Sequence, residues 1–317
     1  MMAQELDQGH LLRQVRVALQ SQDYPEAIRC LKLAAQLARE AGDLSTEGRH
    51  LGNLALIYYR TGEPNRALQY FEQALARARA EGDRVTEDGL LGNMGNILRE
   101  LRRFDEAIEY LNQALLIAQE IGDVRGRGIW LGNLGLVYDD LGQPQEAVSL
   151  HEQSVFVARQ LHDLRGLASR LGNLGNSYLA MGDSTTALKV FHEAVGIYRD
   201  LGDKREWALR LGIIGNIYSE LGRHSPSDFE ANMVYGLALD SYKQTLELAR
   251  ELEDPATEAE LLSSLGNVYG NMGDYDLAIE HFHAAYQLFE SLGLHDRLEH
   301  LQNNIELALA YRSQKIR

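Results

Sequence analysis

Asparagine recurs in this 317-residue chain inside stretches that otherwise read as helix interiors. "LGNLALIYYRTGE" begins at Leu51, "LGNMGNILRELRR" at Leu91, "LGNLGLVYDDLGQ" at Leu131 and "LGNLGNSYLAMGD" at Leu171. "LGIIGNIYSELGR" from Leu211 and "LSSLGNVYGNMGD" from Leu262 are variants of the same text. Asn is a poor helix former, because its side chain competes for backbone hydrogen bonds. It also carries both a donor and an acceptor, matching the C=O and N–H groups of another chain. A ladder of such residues can hold a peptide backbone without selecting its sequence, or it can bond one helix to the next. Both alternatives explain the recurrence.

The other side chains with chemical potential do not assemble into a reactive constellation. The "GNLGN" text lies within a helical pattern and is not followed by Lys-Ser or Lys-Thr, so it cannot cradle phosphates. His281 and His283 are two residues apart on a helix and face different ways, and His10, His50, His151 and His192 have no Cys or carboxylate at metal-ligand spacing. Asp139 and Asp140 invite an acid–base reading, but adjacent helix residues diverge by about 100°. Cys30 follows an apolar helical pattern and reads as a small buried hydrophobe. Trp130 and Trp207, near helix starts, read as packing between neighbouring units. The expectation is a protein without catalytic residues, cofactor or metal.

Composition narrows the partners. A net charge of -15 argues against a non-specific nucleic-acid surface or an anionic membrane surface. No apolar run reaches the length of a membrane span. The opening "MMAQELDQGH" lacks a basic region followed by an apolar run, so no secretory leader is expected. A single cysteine forms no intrachain disulfide and points to a reducing, cytoplasmic compartment.

The elements that must position the asparagines emerge from one alanine. Ala27, Ala67, Ala107, Ala147 and Ala187 stand 40 residues apart; Ala238 follows after 51 and Ala278 after a further 40. Gly52, Gly92, Gly132, Gly172 and Gly212 keep the same period, as do Gly42-Asp43, Gly82-Asp83, Gly122-Asp123 and Gly202-Asp203. Two helical patterns inside one such period read as a helical solenoid. Each unit is a hairpin. A first helix, A, carries the Leu-Gly-Asn text and ends at a turn glycine. A second helix, B, ends at the Gly-Asp pair, whose aspartate is placed to cap the next A helix. Gly95, Gly175, Gly215 and Gly266 cost about 1 kcal/mol each in a helix interior and therefore imply close helix approach. One domain, 1–317, is expected, with hairpins at about 5–41, 44–81, 84–121, 124–161, 164–201, 204–252 and 256–292 and an eighth A-like helix over 297–312 capping the stack as a closed unit. The 11 extra residues fall near 223–234, starting as a loop around Pro226 and then extending helix B. They are either neutral surface variation or a lip over a groove or a dimer contact.

The Ala and Gly spacing, Tyr58, Tyr218 and the turn glycines resemble the tetratricopeptide repeat (TPR). The 40-residue length and the repeated Leu-Gly-Asn look like the long repeats of LGN/Pins adaptors, with similar repeats in kinesin light chain and in bacterial signalling proteins. The resemblance implies an all-α, right-handed superhelical TPR solenoid of seven hairpins plus a C-terminal capping helix. In it the A helices line a concave groove for a protein or peptide partner. Carried over residue by residue, the groove positions are Asn53, Asn93, Asn96, Asn133, Asn173, Asn176, Asn216 and Asn267, with Leu136, Ile213 and Ser264 as departures. Arg13, Arg16, Arg49, Arg60 and Arg99 lie toward the N-terminal units, and Glu100, Asp139, Asp140, Glu220 and Glu260 further along, so the charge would orient a ligand. The groove arginines of LGN/Pins match only at Arg49; Gly89, Ile129, Ser169 and Leu209 take the later positions. The row from Gly52 to Gly212 either lowers the groove floor or packs neighbouring helices. The resulting expectation is a protein-binding scaffold or adaptor that holds a peptide or helical segment in its groove. The alternatives are a structural homo-oligomer and a peptide-responsive regulator.

Overall fold

The computed structural model describes residues 8–315. Every element among them is an α-helix. The chain forms two compact units, which divide between His162 and Asp163. The first unit holds four hairpins: α1 (Gln8–Gln20) with α2 (Tyr24–Glu40), α3 (Leu44–Arg60) with α4 (Pro64–Glu81), α5 (Arg84–Glu100) with α6 (Phe104–Ile121), and α7 (Val124–Asp140) with α8 (Pro144–Gln160). The second holds α9 (Leu164–Ala180) with α10 (Ser184–Asp200), α11 (Lys204–Arg223) with α12 (Asp228–Glu251), and α13 (Pro255–Asn271) with α14 (Tyr275–Ser291), followed by α15 (His295–Lys315). The expected start of the first hairpin, residues 5–7, lies outside the described residues. The all-α hairpin solenoid read from the 40-residue period is the observed architecture within each unit.

Local chemistry sets the helix ends. Gly82 and Gly122 terminate α4 and α6 in the left-handed region, at φ 66° and 72°. The next residue then opens the following helix. Asp83 Oδ1 accepts from the Thr86 amide at 3.0 Å, and Asp123 Oδ1 from the Gly126 amide at 2.9 Å. Asp43, Asp163, Asp203 and Asp254 cap α3, α9, α11 and α13 in the same way. Each satisfies an amide that a helix start leaves without a partner.

Inside a hairpin, the A-helix glycine makes room for a large B-helix side chain. A methyl group on Gly95 would sit 2.6 Å from Leu111 Cγ, and Gly175 and Gly266 face Phe191 and Phe282 as closely. Ala107, the register alanine, is fully buried, as are its equivalents Ala27, Ala67, Ala147, Ala187, Ala238 and Ala278. Between hairpins, charge contributes as well. The Glu47 carboxylate in the first turn of α3 is fully buried and receives Arg39 Nε of α2 and Arg77 Nε of α4, both at 2.7 Å. Glu87 repeats this with Arg79, and Glu258 with Arg250.

The extra residues of the sixth hairpin are mostly helix. α11 has 20 residues and α12 has 24, against 17 or 18 in the other complete hairpins after the first. Only 224–227 remain as a connection, and Ser227 caps α12. In α15, Leu301, Ile305 and Ala308 are buried in one cluster with Phe282, Ala285 and Phe289 of α14.

Candidate functional site

In the first unit, α5 and α7 bring Asn93, Asn96 and Asn133 together. With Leu56 and Tyr59 of α3 and Leu136 of α7 they line a cleft of about 200 Å³. The three amides are half-buried, because the residues on either side of each point into the core. Arg99 and Glu100 close one end. Arg99 Nη1 donates to Asp140 Oδ2 at 3.2 Å, and the Tyr59 hydroxyl donates to Glu100. The Glu100 carboxylate, assisted by burial, pushes the Tyr59 hydroxyl up to about 12, so it stays a donor at neutral pH. Asn133 Nδ2 and Arg99 Nε are enclosed and meet no acceptor from the protein. Unpaired enclosed donors cost about 1–3 kcal/mol each.

In the second unit, Asn216 of α11 and Asn267 of α13 line a groove of about 440 Å³ with Ser219, Ser264, Asn271 and Asn304. Glu220 and Arg223 pair with each other on its wall, and His300 of α15 also faces it. Asn304 Nδ2 donates to Asn267 Oδ1 at 3.3 Å, and the Tyr242 hydroxyl donates to Asn216 Oδ1 at 2.7 Å. The first of these is a bond between neighbouring A-type helices, one of the two roles open to the asparagines. Asn271 and Asn304 escaped the sequence reading. Asn271 occupies the last turn of an A helix, where Asp140 and Glu220 stand in other repeats, and Asn304 lies in the helix read only as a cap.

The remaining expected residues line neither cleft. Asn53 on α3 and Asn176 on α9 are exposed, and Asn173 is half-buried. Arg13 and Arg16 are exposed on α1, and Arg60 on α3. Arg49 donates to Thr46 Oγ1 of its own helix at 2.8 Å. Asp139 Oδ2 lies 2.9 Å from Nε2 of the fully buried His151, so that histidine does have a carboxylate partner, across the hairpin turn. The sequence spacing concealed it because the contact joins the end of α7 to the middle of α8.

The glycine row resolves as packing at three positions. Gly92 lies under the Trp130 ring, Gly132 against Ser154 Oγ and Gly172 under the Arg210 guanidinium. All three glycines are buried, so they do not form an open groove floor. Trp130 is the packing residue expected; its indole N–H donates to Asp88 Oδ1 at 2.8 Å in the core. Burial pushes the Asp88 carboxyl above its usual range, against the pull of that indole donor. Among the described residues, no group of three or more His, Cys, Asp or Glu could hold a metal, and no helix is long and apolar enough to cross a membrane.

Three family profiles, each for the tetratricopeptide repeat, match the chain: one over residues 9–80 and 87–160, one over 171–205 and one over 259–292. No curated protein sequence matches it. Solved structures do. The apo form of RapI superimposes with a TM-score of 0.63 at 16% identity, covering 91% of this chain and 99% of RapI. A variant of a putative kinesin light chain repeat protein from Podosopora anserina gives 0.53 at 20%, covering 64% of this chain and 100% of that one. A Rap protein complexed with Competence and Sporulation Factor gives 0.52 at 12%, covering 97% and 99%. These likenesses are likenesses of fold. With the profiles spanning more than half of its length and the hairpins, caps and small-residue contacts in their repeating places, the chain belongs to the tetratricopeptide repeat family.

Proposed function

We propose that this protein is a non-enzymatic binding module that holds an extended peptide segment of a partner along its A helices. The observation that carries the reading is the cleft lined by the half-buried amides of Asn93, Asn96 and Asn133, each with a donor and an acceptor. The Asn216–Asn267 groove of the second unit offers the same chemistry. A protein of the same fold was solved with Competence and Sporulation Factor bound, which supports a ligand-holding role for this architecture. On this reading the chain is a long-repeat member similar to LGN/Pins and kinesin light chain, but its ligand is not the one that a row of groove arginines would select. Its one cysteine, Cys30, is buried and free, in keeping with a reducing, cytoplasmic setting.

The test is selection of peptides from a random 12-residue display library on the full chain, followed by titration calorimetry. Asn93→Ala with Asn133→Ala, or Asn216→Ala with Asn267→Ala, should weaken the selected peptide by roughly 30-fold, at about 1 kcal/mol for each lost hydrogen bond. Thermal melts of the same variants should change little, since these amides are only half-buried or exposed. Undiminished affinity in both pairs would overturn the reading.

A further inference from the structure

Beside the asparagine groove of the second unit lies a separate cavity of about 370 Å³ between α11, α12 and α13. Its lining is mixed: Ala208, Leu209, Ile213, Ala249 and Leu261 form an apolar wall beside Thr245, and Arg205, Asp254, Thr257 and Glu260 bring polar groups to the same cavity. The Thr245 hydroxyl is committed to the Ser241 carbonyl at 2.8 Å, and its methyl carbon faces Gly212. The charged groups at the rim have partners close by. Glu260 lies 3.5 Å from Arg297, and Asp254 caps Thr257 with Arg205 holding its carboxyl down as a minor contributor. A cavity of this size sits at the lower end of the range for binding pockets, about 300–1,000 Å³.

In two other repeats the equivalent place is filled by a planar side-chain group. Gly212 is in register with Gly92 and Gly172. Those two are covered by a side chain of the next A helix, the Trp130 ring and the Arg210 guanidinium, which stand where a Cβ would be. At Gly212 the corresponding residue is Leu261, which leaves the site open, with Thr245 Cγ2 the nearest atom to a built Cβ at 3.8 Å; Gly52, faced by Leu90 Cδ2 at 3.7 Å, is open in the same way. The ring over Gly92 also needs Asp88 for its indole N–H, and the residue in register with Asp88 here is the apolar Ala208. The vacant place therefore suits an aromatic ring without a donor. Asn216, Tyr242 and Ser264 border both this cavity and the polar groove. A chain whose backbone lies along the groove can drop one side chain into the cavity.

We infer that the second unit carries a side-chain-selecting pocket, between Leu209, Gly212, Ile213 and Leu261, for one phenylalanine ring of the bound peptide. This rests on the peptide-groove reading for its biological meaning and adds sequence selectivity to a backbone-reading ladder. Two measurements separate the two ideas. The first is methyl NMR of the full chain titrated with N-acetyl-phenylalanine amide, with the lysine analogue as control. The phenylalanine probe should shift the methyl signals of Leu209, Ile213, Thr245 and Leu261, and the control should not. Gly212→Phe, which fills the place from within, should abolish the shifts; Leu209→Asn, at a half-exposed position, is the second variant should the first misfold. The second measurement uses library-selected peptides. They should carry phenylalanine at one fixed position, and its replacement by Ala should cost tenfold or more on the parent chain and little on Gly212→Phe. Peptides that bind without an aromatic preference, together with unmoved methyl signals, would overturn the pocket and leave the groove standing. Probe-induced shifts without any peptide binding would uphold the pocket and remove the groove reading.

Discussion

Gly95 leaves no room for a side chain. Gly95 faces Leu111 Cγ at 2.6 Å and the Ala107 carbonyl at 3.4 Å from a built Cβ. Gly95→Leu should therefore destabilise by about 3 kcal/mol through overpacking, against a helix-propensity gain of roughly 0.8 kcal/mol. A raised or unchanged urea midpoint would contradict that packing. His50 shows the reverse problem, a polar group in a dry place. It is 4% exposed, and neither ring nitrogen meets a protein partner. Burial, then the nearby Arg49, pushes its pKa down. The folded state stays neutral where the unfolded chain takes up a proton, near pH 6.5. Stability from this residue is complete above that pH and is lost as pH falls, by up to about 1.4 kcal/mol per unit. His50→Leu, which copies Leu90 of the next repeat, should flatten the fall in melting temperature between pH 7 and pH 5; parallel profiles for parent and variant would refute it.

Helix starts and stops were readable in the sequence because each is local: a glycine, an aspartate and an amide three residues on. The Arg39–Glu47–Arg77 clamp was not, although an arginine eight residues before a glutamate recurs at 79 and 87 and at 250 and 258. That spacing acquires meaning only once α2, α3 and α4 are side by side. Burial pushes the Glu47 pKa up, but the Arg77 and Arg39 guanidinium groups outweigh it and hold the carboxyl below its usual range. Its contribution is thus present above the unfolded carboxylate pKa, about 4.3, and disappears as pH falls through the lower folded value. Removing one partner of a fully buried pair costs about 3–5 kcal/mol. Here the arginine side chains are 58% and 30% exposed and can turn to water, so Glu47→Gln should cost about 1–3 kcal/mol at pH 7. Denaturation at pH 7 and pH 3 checks it: the gap between parent and variant should close in acid. The asparagines were legible as a ladder, yet only Asn93, Asn96, Asn133, Asn216 and Asn267 reach the two clefts. Which side of a helix meets a cleft depends on the neighbouring hairpin, and a single sequence does not carry that.

Along the whole chain, the 40-residue period predicted hairpin number and order, since every repeat buries the same face against its neighbours. The cavity over Gly212 was out of reach, because it arises from Leu261 failing to cover what Trp130 and Arg210 cover elsewhere. The last helix closes the second unit's core. Deleting everything after Leu292 should uncover Phe282, Ala285 and Phe289, and light scattering should then show self-association. A truncated chain that stays monomeric and melts unchanged would show that α15 protects nothing. The Gly-Asp joints carry a consequence for how such a protein can change its length. At 82–83 and 122–123 one residue finishes a helix and the next begins another, so a segment cut there holds its own stop and its own start. An in-frame genetic duplication between two such joints would insert 40 residues with both ends already capped. The array can grow or shrink by whole hairpins while each copy, once spare, is free to drift toward a different ligand.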